Sequence, residues 1–232
     1  MRKDVDTKLV VRYLVREALS LAGMGVALFW PAGRIDWWPA WAALAVMFVW
    51  IAGTAIVVLR LNPALLAERL GPRRGAKTWD AAIVSTMGLV TLVRYIVAGL
   101  DQRHGWTGGL PVAAQVAALA VCALGNDLLF LWAIASNAFF SQVVRIQSER
   151  GQTVVTGGPY RHVRHPAYIG EILYELAVPV LLASWWAMIP SGLAAILLIV
   201  RTALEDRTLR AELAGYADYA RRVRYRLVPG IW

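Results

Sequence analysis

Long apolar runs, separated by short and mostly basic connections, set the plan of this chain. The first run, from about Tyr13 to Trp30, reaches spanning length if Arg16 and Glu17 snorkel at its start. After a turn from Pro31 to Asp36, the cluster Trp37, Trp38 and Trp41 forms an interfacial aromatic belt opening a second span, Trp38 to Leu59. A third span runs from Ala81 to Leu100 with Arg94 inside it. Beyond the polar turn Asp101 to Gly109, a fourth runs from Pro111 to about Ala135 and contains Asn126 and Asp127. The connection Arg60 to Asp80 reads as a membrane-surface segment with a short amphipathic helix, Pro63 to Leu70, stopped by Gly71-Pro72.

The last apolar stretch, Ala167 to Val200, is 34 residues long and interrupted only by Glu171 and Glu175. It exceeds one span and suits a helical hairpin, with its turn at Ser184-Trp185-Trp186 and a kink at Pro179. From Arg201 the tail predicts a charged helix to about Val223. The expected fold is therefore all-α: a polytopic integral membrane protein of about six membrane helices, including a C-terminal hairpin, plus a cytoplasmic C-terminal helix. It forms one domain over 1–232, with four N-terminal membrane helices in 1–135 and a loop, the hairpin and the C-terminal helix in 136–232.

Composition agrees: 59% of residues are hydrophobic, 17% are charged and the mean hydropathy is +0.53. A net charge of +9 raises nucleic acid as a partner. The cations, however, lie in blocks between apolar runs rather than along one helix face, which is the pattern of a membrane protein. Of the 24 Lys and Arg residues, 21 fall on one side of the predicted membrane; only Arg34 and Arg103 fall on the other. That bias places both termini in the cytoplasm. Glu17, and the lack of a small-residue cleavage site after Trp30, favour a retained first span over a signal peptide. The single cysteine, Cys122, lies in an apolar run and reads as packing, with no disulfide framework or metal-ligand spacing.

Candidate chemistry gathers in three polar sets. The loop Gly157 to Tyr168 holds Gly157-Gly158-Pro159, whose backbone allows close approach of a ligand, with Tyr160, His162, His165 and Tyr168; Pro166 is suited to the first position of a helix. Arg201 and Glu205 share a helix face at i, i+4, followed by Asp206. Glu171 and Glu175 lie one and two turns into an apolar helix, where ionisable groups need a polar cavity or a partner such as Arg201 or Arg164. An Arg94–Asp127 pair is conceivable, either as packing or within a substrate cavity. No Walker loop, dinucleotide fingerprint or nucleophile–base pair is present in the sequence.

The run GGPYRHVRHPAYIG, the hairpin, and RTALEDRTLRAELAGYADYARRVRYRLVPGIW together resemble the isoprenylcysteine carboxyl methyltransferase family, including its bacterial members. Gly158-Pro159-Tyr160, Arg164-His165-Pro166-Ala167-Tyr168, Arg201 with Glu205-Asp206, Tyr216 with Tyr219, and Arg226 with Pro229 carry the likeness. It is dense over 150–232 and general elsewhere, and Asp206 stands where the family often has a second Glu. The resemblance implies S-adenosylmethionine (SAM) as cofactor, a lipophilic acceptor from the bilayer, and residence in the bacterial inner membrane. It implies Val155, Gly157, Pro159, Tyr160, His165, Pro166, Tyr168 and Glu205 as cofactor contacts, Arg201 and Glu205 as catalytic, and Arg164, Glu171 and Glu175 as substrate contacts. Arg201 would clamp an acceptor carboxylate, or Glu205 would serve as base for an amine or thiol. An NADPH-dependent membrane reductase and a non-catalytic transporter or scaffold remain alternatives; the acceptor and the oligomeric state stay open.

Overall fold

The computed structural model describes residues 7–61 and 75–232. The amphipathic helix expected over Pro63 to Leu70 lies outside the described residues. Among those described, all regular structure is helical: α1 (Thr7–Ala32), α2 (Trp38–Leu61), α3 (Thr78–His104), α4 (Val112–Ser136), α5 (Pro166–Leu181), α6 (Met188–Glu212) and a short α7 (Tyr216–Arg222). The protein is an integral membrane protein: α2, α3, α4 and α6 are each long and apolar enough to cross a bilayer. The first helix is long enough at 26 residues but begins with Lys8, Arg12, Arg16 and Glu17. The hairpin's first arm, α5, has only 16 residues.

The hairpin is lopsided. Its second arm does not stop at Arg201 but continues through the charged stretch to Glu212, so Arg201, Glu205 and Asp206 stand on a direct extension of a membrane helix. The expected single charged helix to Val223 is split, because the chain turns at Leu213–Gly215, with Gly215 in the left-handed region at φ 80°, before α7 begins. Pro166 opens α5 as its first residue, where a missing N–H costs nothing.

The turn between α5 and α6 is held from a neighbouring loop. Asp101, at the end of α3, is 2% exposed and accepts hydrogen bonds from the Thr107 amide (2.8 Å) and the Ser184 hydroxyl (2.6 Å). Thr107 Oγ1 in turn accepts the Trp185 amide at 3.0 Å. Trp106, Trp185 and Trp186 stay exposed beside this knot, as an interfacial belt requires.

Inside a bilayer, apolar burial does not drive helices together; close packing and polar contacts do. Close packing is present where α4 meets α5. A π-helical segment, Ala123–Leu129, interrupts α4, and a methyl group placed on Gly170 of α5 would lie 2.3 Å from the Gly125 carbonyl oxygen. The two backbones therefore touch, which only glycine allows.

The polar contact is Arg94 with Glu175, joining α3 to α5. This overturns both sequence expectations for the intramembrane charges: Arg94 does not meet Asp127, and Glu175 meets neither Arg201 nor Arg164. Nη2 of Arg94 donates to the Tyr95 hydroxyl at 3.0 Å, which lies 2.9 Å from the Tyr174 hydroxyl, and the guanidinium stands 4.6 Å from the Tyr95 ring centroid. Asp127 Oδ1 and Asn126 Nδ2 are buried without a hydrogen-bond partner among the described residues.

Removing one member of a buried ion pair strands the other charge at about 3–5 kcal/mol, whereas replacing both with apolar residues costs little. Glu175→Leu is therefore expected to lower the unfolding temperature in detergent sharply, and Arg94→Met combined with Glu175→Leu to restore most of it. Equal destabilisation in the single and double variants would count against the pair as a structural tie.

Candidate active site

Beyond α4 the chain makes a long excursion, 137–165, with two single 3₁₀ turns at Ser148–Arg150 and Gly158–Arg161. Buried side chains shape it. Gln147, 1% exposed, donates from Nε2 to the Phe139 carbonyl at 2.7 Å, while its own amide donates to Gln152 Oε1 at 2.7 Å. Asp80, in the first turn of α3 and fully buried, accepts the Val144 amide at 2.8 Å and Arg201 Nε at 2.7 Å. One carboxylate thus fastens the excursion and α6 to the start of α3.

A cavity of about 350 Å³ lies between this excursion, the start of α5 and the charged end of α6. Its apolar side is made by Trp50, Val84, Met87 and Phe130, from α2, α3 and α4. Its polar side brings together nine of the residues expected from sequence: Val155, Tyr160, Arg164, His165, Pro166, Tyr168, Glu171, Arg201 and Glu205. Gly157, Pro159 and Glu175 do not line it. The glycine turn packs elsewhere, since a methyl group on Gly158 would strike Ser136 Oγ at 2.2 Å. Glu175 is engaged with Arg94 below.

Asp206 is the hub on the far side of α6. It is fully buried, with Arg164 Nε at 2.7 Å, Arg210 Nε and Arg226 Nε each at 3.0 Å, and the Tyr216 hydroxyl at 3.0 Å. Arg164 also donates from Nη1 to the carbonyls of Val223 and Arg224, both at 2.7 Å. Four of its five N–H groups are thus engaged with protein groups, so Arg164 anchors the C-terminal segment while also lining the cavity. The amides of Arg164 and His165 donate to the carbonyls of Tyr225 and Arg226, each at 3.0 Å, completing that anchor.

His165 turns Nε2 toward Asp206 (3.5 Å) and the Tyr216 hydroxyl (3.3 Å), and its ring stacks on Tyr168 with centroids 5.9 Å apart. Tyr168 donates its hydroxyl to Glu205 Oε2. Arg201, expected to pair with Glu205 or clamp an acceptor carboxylate, instead commits Nε and Nη2 to Asp80 and Nη2 also to the Gln142 carbonyl at 2.8 Å. Its Nη1 makes no hydrogen bond to a described residue, and the guanidinium lies in the cavity wall. Glu171 accepts no hydrogen bond from any described residue. Burial holds the phenols of Tyr160, Tyr216 and Tyr219 well above their usual range, so they stay neutral: Tyr219 donates to the Tyr160 carbonyl at 2.7 Å, Tyr216 donates to Asp206, and the Tyr160 hydroxyl accepts from Asn137 Nδ2 at 3.3 Å.

Sequence reasoning missed Asp80, Trp50, Met87 and the wall from Asn137 to Gln147. Asp80 carried a usable signal, an acid opening an apolar span. The others are ordinary packing residues until the fold brings them together.

Comparisons with known proteins bear on this same region. Residues 118–211 match the isoprenylcysteine carboxyl methyltransferase (ICMT) family. The chain is 31% identical over 71 residues to the protein-S-isoprenylcysteine O-methyltransferase of Schizosaccharomyces pombe, covering 31% of this chain and 30% of that one. It is 35% identical over 145 residues to the cobalt-zinc-cadmium resistance protein CzcN of Cupriavidus metallidurans, covering 56% of this chain and 57% of the relative. The chain thus spans less than two thirds of the length of either relative. A solved structure of the eukaryotic intramembrane Ras methyltransferase ICMT aligns over 96% of this chain and 86% of that one, with a TM-score of 0.45 and 18% identity.

The hub makes its own prediction. Asp206→Ala strands Arg164 and releases the contacts of Arg226 and Tyr216, so amide hydrogen exchange over 223–232 is expected to rise together with a stability loss of about 3–5 kcal/mol. Unchanged exchange in that segment would show that the anchor does not depend on Asp206.

Proposed function

Because the chain belongs to the isoprenylcysteine carboxyl methyltransferase family, we propose that it is a membrane methyltransferase that transfers a methyl group from SAM to a lipophilic acceptor. The acceptor is of the isoprenylcysteine type or a related lipid, and transfer takes place at the cytoplasmic surface of a bacterial inner membrane with both termini in the cytoplasm. The observation that carries this reading is the cavity itself. Its polar side is built largely from the stretch that matches the family, and its apolar side faces membrane helices.

The residues present suit the cofactor. A volume of about 350 Å³ falls in the range of small-molecule pockets. The stacked pair His165 and Tyr168, together with Tyr160, offers flat surfaces for a purine. The indole N–H of Trp50, buried in the wall without a partner among the described residues, is a donor lacking an acceptor. Glu205 and Glu171 offer negative charge to a cationic ligand. When bound, SAM supplies a methyl carbon already activated by a positive sulfonium.

The chain's own contribution is alignment and exclusion of water. Tyr168 fixes the rotamer of Glu205 by its hydrogen bond. Asp80 fixes Arg201, so the α6 wall cannot swing away from the excursion. Asp206 and Tyr216 hold the His165 ring against Tyr168. Val84, Met87 and Phe130 present a dry face toward the bilayer side, along which a hydrocarbon tail can lie.

Calorimetry on the purified chain in detergent is expected to show heat of binding with SAM and none with NADPH. Glu205→Gln is expected to weaken SAM binding by about tenfold or more, the loss typical of one hydrogen bond to a charged group at about 1.5–3 kcal/mol. His165→Ala is expected to abolish methyl transfer from labelled SAM while the protein stays folded. Undisturbed SAM affinity in Glu205→Gln would remove that residue from the cofactor site, and absence of SAM binding by the unaltered chain would end the methyltransferase reading.

A further inference from the structure

Three guanidiniums surround one carboxylate at the charged end of α6. Arg164 meets Asp206 inside the protein, whereas Arg210 and Arg226 each reach its Oδ2 through Nε, at 3.0 Å, with side chains 43% and 29% exposed. Asp206 thus draws two partly exposed guanidiniums onto one oxygen atom, and three arginines about one aspartate leave an excess of positive charge. Nε of each is engaged with the carboxylate, which leaves the Nη atoms of both for an anion outside. Arg210, Arg226 and the exposed Arg207 do not line the cavity.

The face of α6 that carries these cations is apolar and exposed along its membrane part. Ile196, Ile199 and Val200 are exposed on it, and eleven residues make close to three turns, so Arg207 stands above Ile196 and Arg210 above Ile199. Ala203 keeps that face apolar in between. Arg207 follows four residues later, a rise of about 6 Å, which matches a headgroup layer of about 5–8 Å on each side of the hydrocarbon. The C-terminal segment adds a second apolar surface beside the cations. Leu227 is buried in one cluster with Leu198 of α6 and Tyr168 of α5, whereas Val228 and Ile231 stay exposed, Ile231 at 81%. Both are held in place, for the Arg226 and Leu227 amides donate to the Trp232 carbonyl at 2.9 and 3.1 Å, and the Arg226 guanidinium lies 4.8 Å from the Trp232 ring centroid. A fixed apolar surface beside an arginine and a tryptophan suits the membrane interface.

We propose that this face binds an anionic phospholipid. Its phosphate is held between Arg210 and Arg226 with Arg207 alongside, and its acyl chains lie along Ile196, Ile199 and Val200, with Val228 and Ile231 in the same leaflet. A zwitterionic lipid fits less well, because its own ammonium already neutralises the phosphate. Arg210 belongs to α6 and Arg226 to the C-terminal segment, so one phosphate bridges the two. The lipid thereby holds from outside the segment that Asp206 anchors from within. The site lies outside the cavity and does not depend on the reaction proposed there.

The test releases the full chain from mixed micelles of phosphatidylglycerol and phosphatidylcholine into a native mass spectrometer and counts the lipid retained. Phosphatidylglycerol is expected to be retained in preference. Arg207→Gln combined with Arg210→Gln is expected to weaken its retention by about fivefold for each arginine removed, the usual worth of one cation at an anionic surface. Arg34→Gln combined with Arg103→Gln, at the opposite end of the helices, should leave it unchanged. Amide exchange over 223–232 should slow with phosphatidylglycerol and not with phosphatidylcholine or with soluble glycerol 3-phosphate. Equal retention of the two lipids, or full retention of phosphatidylglycerol by the double variant at 207 and 210, overturns the proposal. Slowing by glycerol 3-phosphate as strong as by the lipid also overturns it, in favour of a free phosphate as the ligand. Arg207 makes no hydrogen bond or ion pair with a described residue, so Arg207→Gln alone, expected to lose about fivefold, decides the question if the double variant does not fold.

Discussion

A guanidinium at membrane depth cannot be left alone, because removing it from water without a partner costs several kcal/mol. Three pairings that meet this constraint account for much of the tertiary structure. Arg94 with Glu175 ties α3 to α5 in the interior. Arg201 with Asp80 ties α6 to the first turn of α3 and carries the excursion with it through the Val144 amide. Arg164 with Asp206 ties the loop before α5 to α6 and, through two carbonyls, to the C-terminal segment. Each joins elements distant in sequence, and together they surround the cavity. The apolar surfaces between them need only fit, since lipid offers no hydrophobic reward for their burial.

This division also separates structural charge from chemical charge. The acids that hold the fold, Asp80 and Asp206, are fully buried, while Glu171 and Glu205 are only partly so and face the cavity. Glu205 and Asp206 are neighbours in sequence, yet on a helix they point about 100° apart. One therefore reaches the cavity and the other the C-terminal anchor. The shorter side chain at 206 suits the anchor, where its two oxygens receive three arginines and a tyrosine in a compact cluster.

The helical plan was legible in the sequence because spanning runs are long and their boundaries are marked by tryptophan, proline and clustered cations. Six of the seven helices lie where hydropathy puts them, and Pro166 starts α5 as its position suggested. The cavity was legible in part, since Val155, Tyr160, His165, Pro166 and Tyr168 of the loop line it together with Glu205, while Gly157 and Pro159 do not. What sequence could not supply was pairing. Arg201 and Glu205 share a helix face, and Arg94 and Asp127 lie in successive spans, but the choice of partner depends on helix rotation and depth. Those are set by contacts such as the backbone approach of Gly125 to Gly170 and the π segment in α4, which leave no periodic trace. The continuation of α6 past Arg201 was hidden for a related reason: polarity changes at the membrane boundary, but helical hydrogen bonding does not.

The length of α5 governs access to the cavity. At 1.5 Å per residue, its 16 residues rise about 24 Å, against about 30 Å for a hydrocarbon core. Its far end is fixed near the interface by the knot of Asp101, Thr107 and Ser184 beside exposed tryptophans. Its near end, with His165, Tyr168 and Glu171, opens onto the cavity. The excursion 137–165 closes over that end, and its buried backbone donors and carbonyls must be satisfied by protein or ligand. Under the proposed function, a lipid tail lying along Val84, Met87 and Phe130 would present its polar head to the cavity. Under that reading the short helix would set where a water-soluble methyl donor and a membrane-soluble acceptor meet.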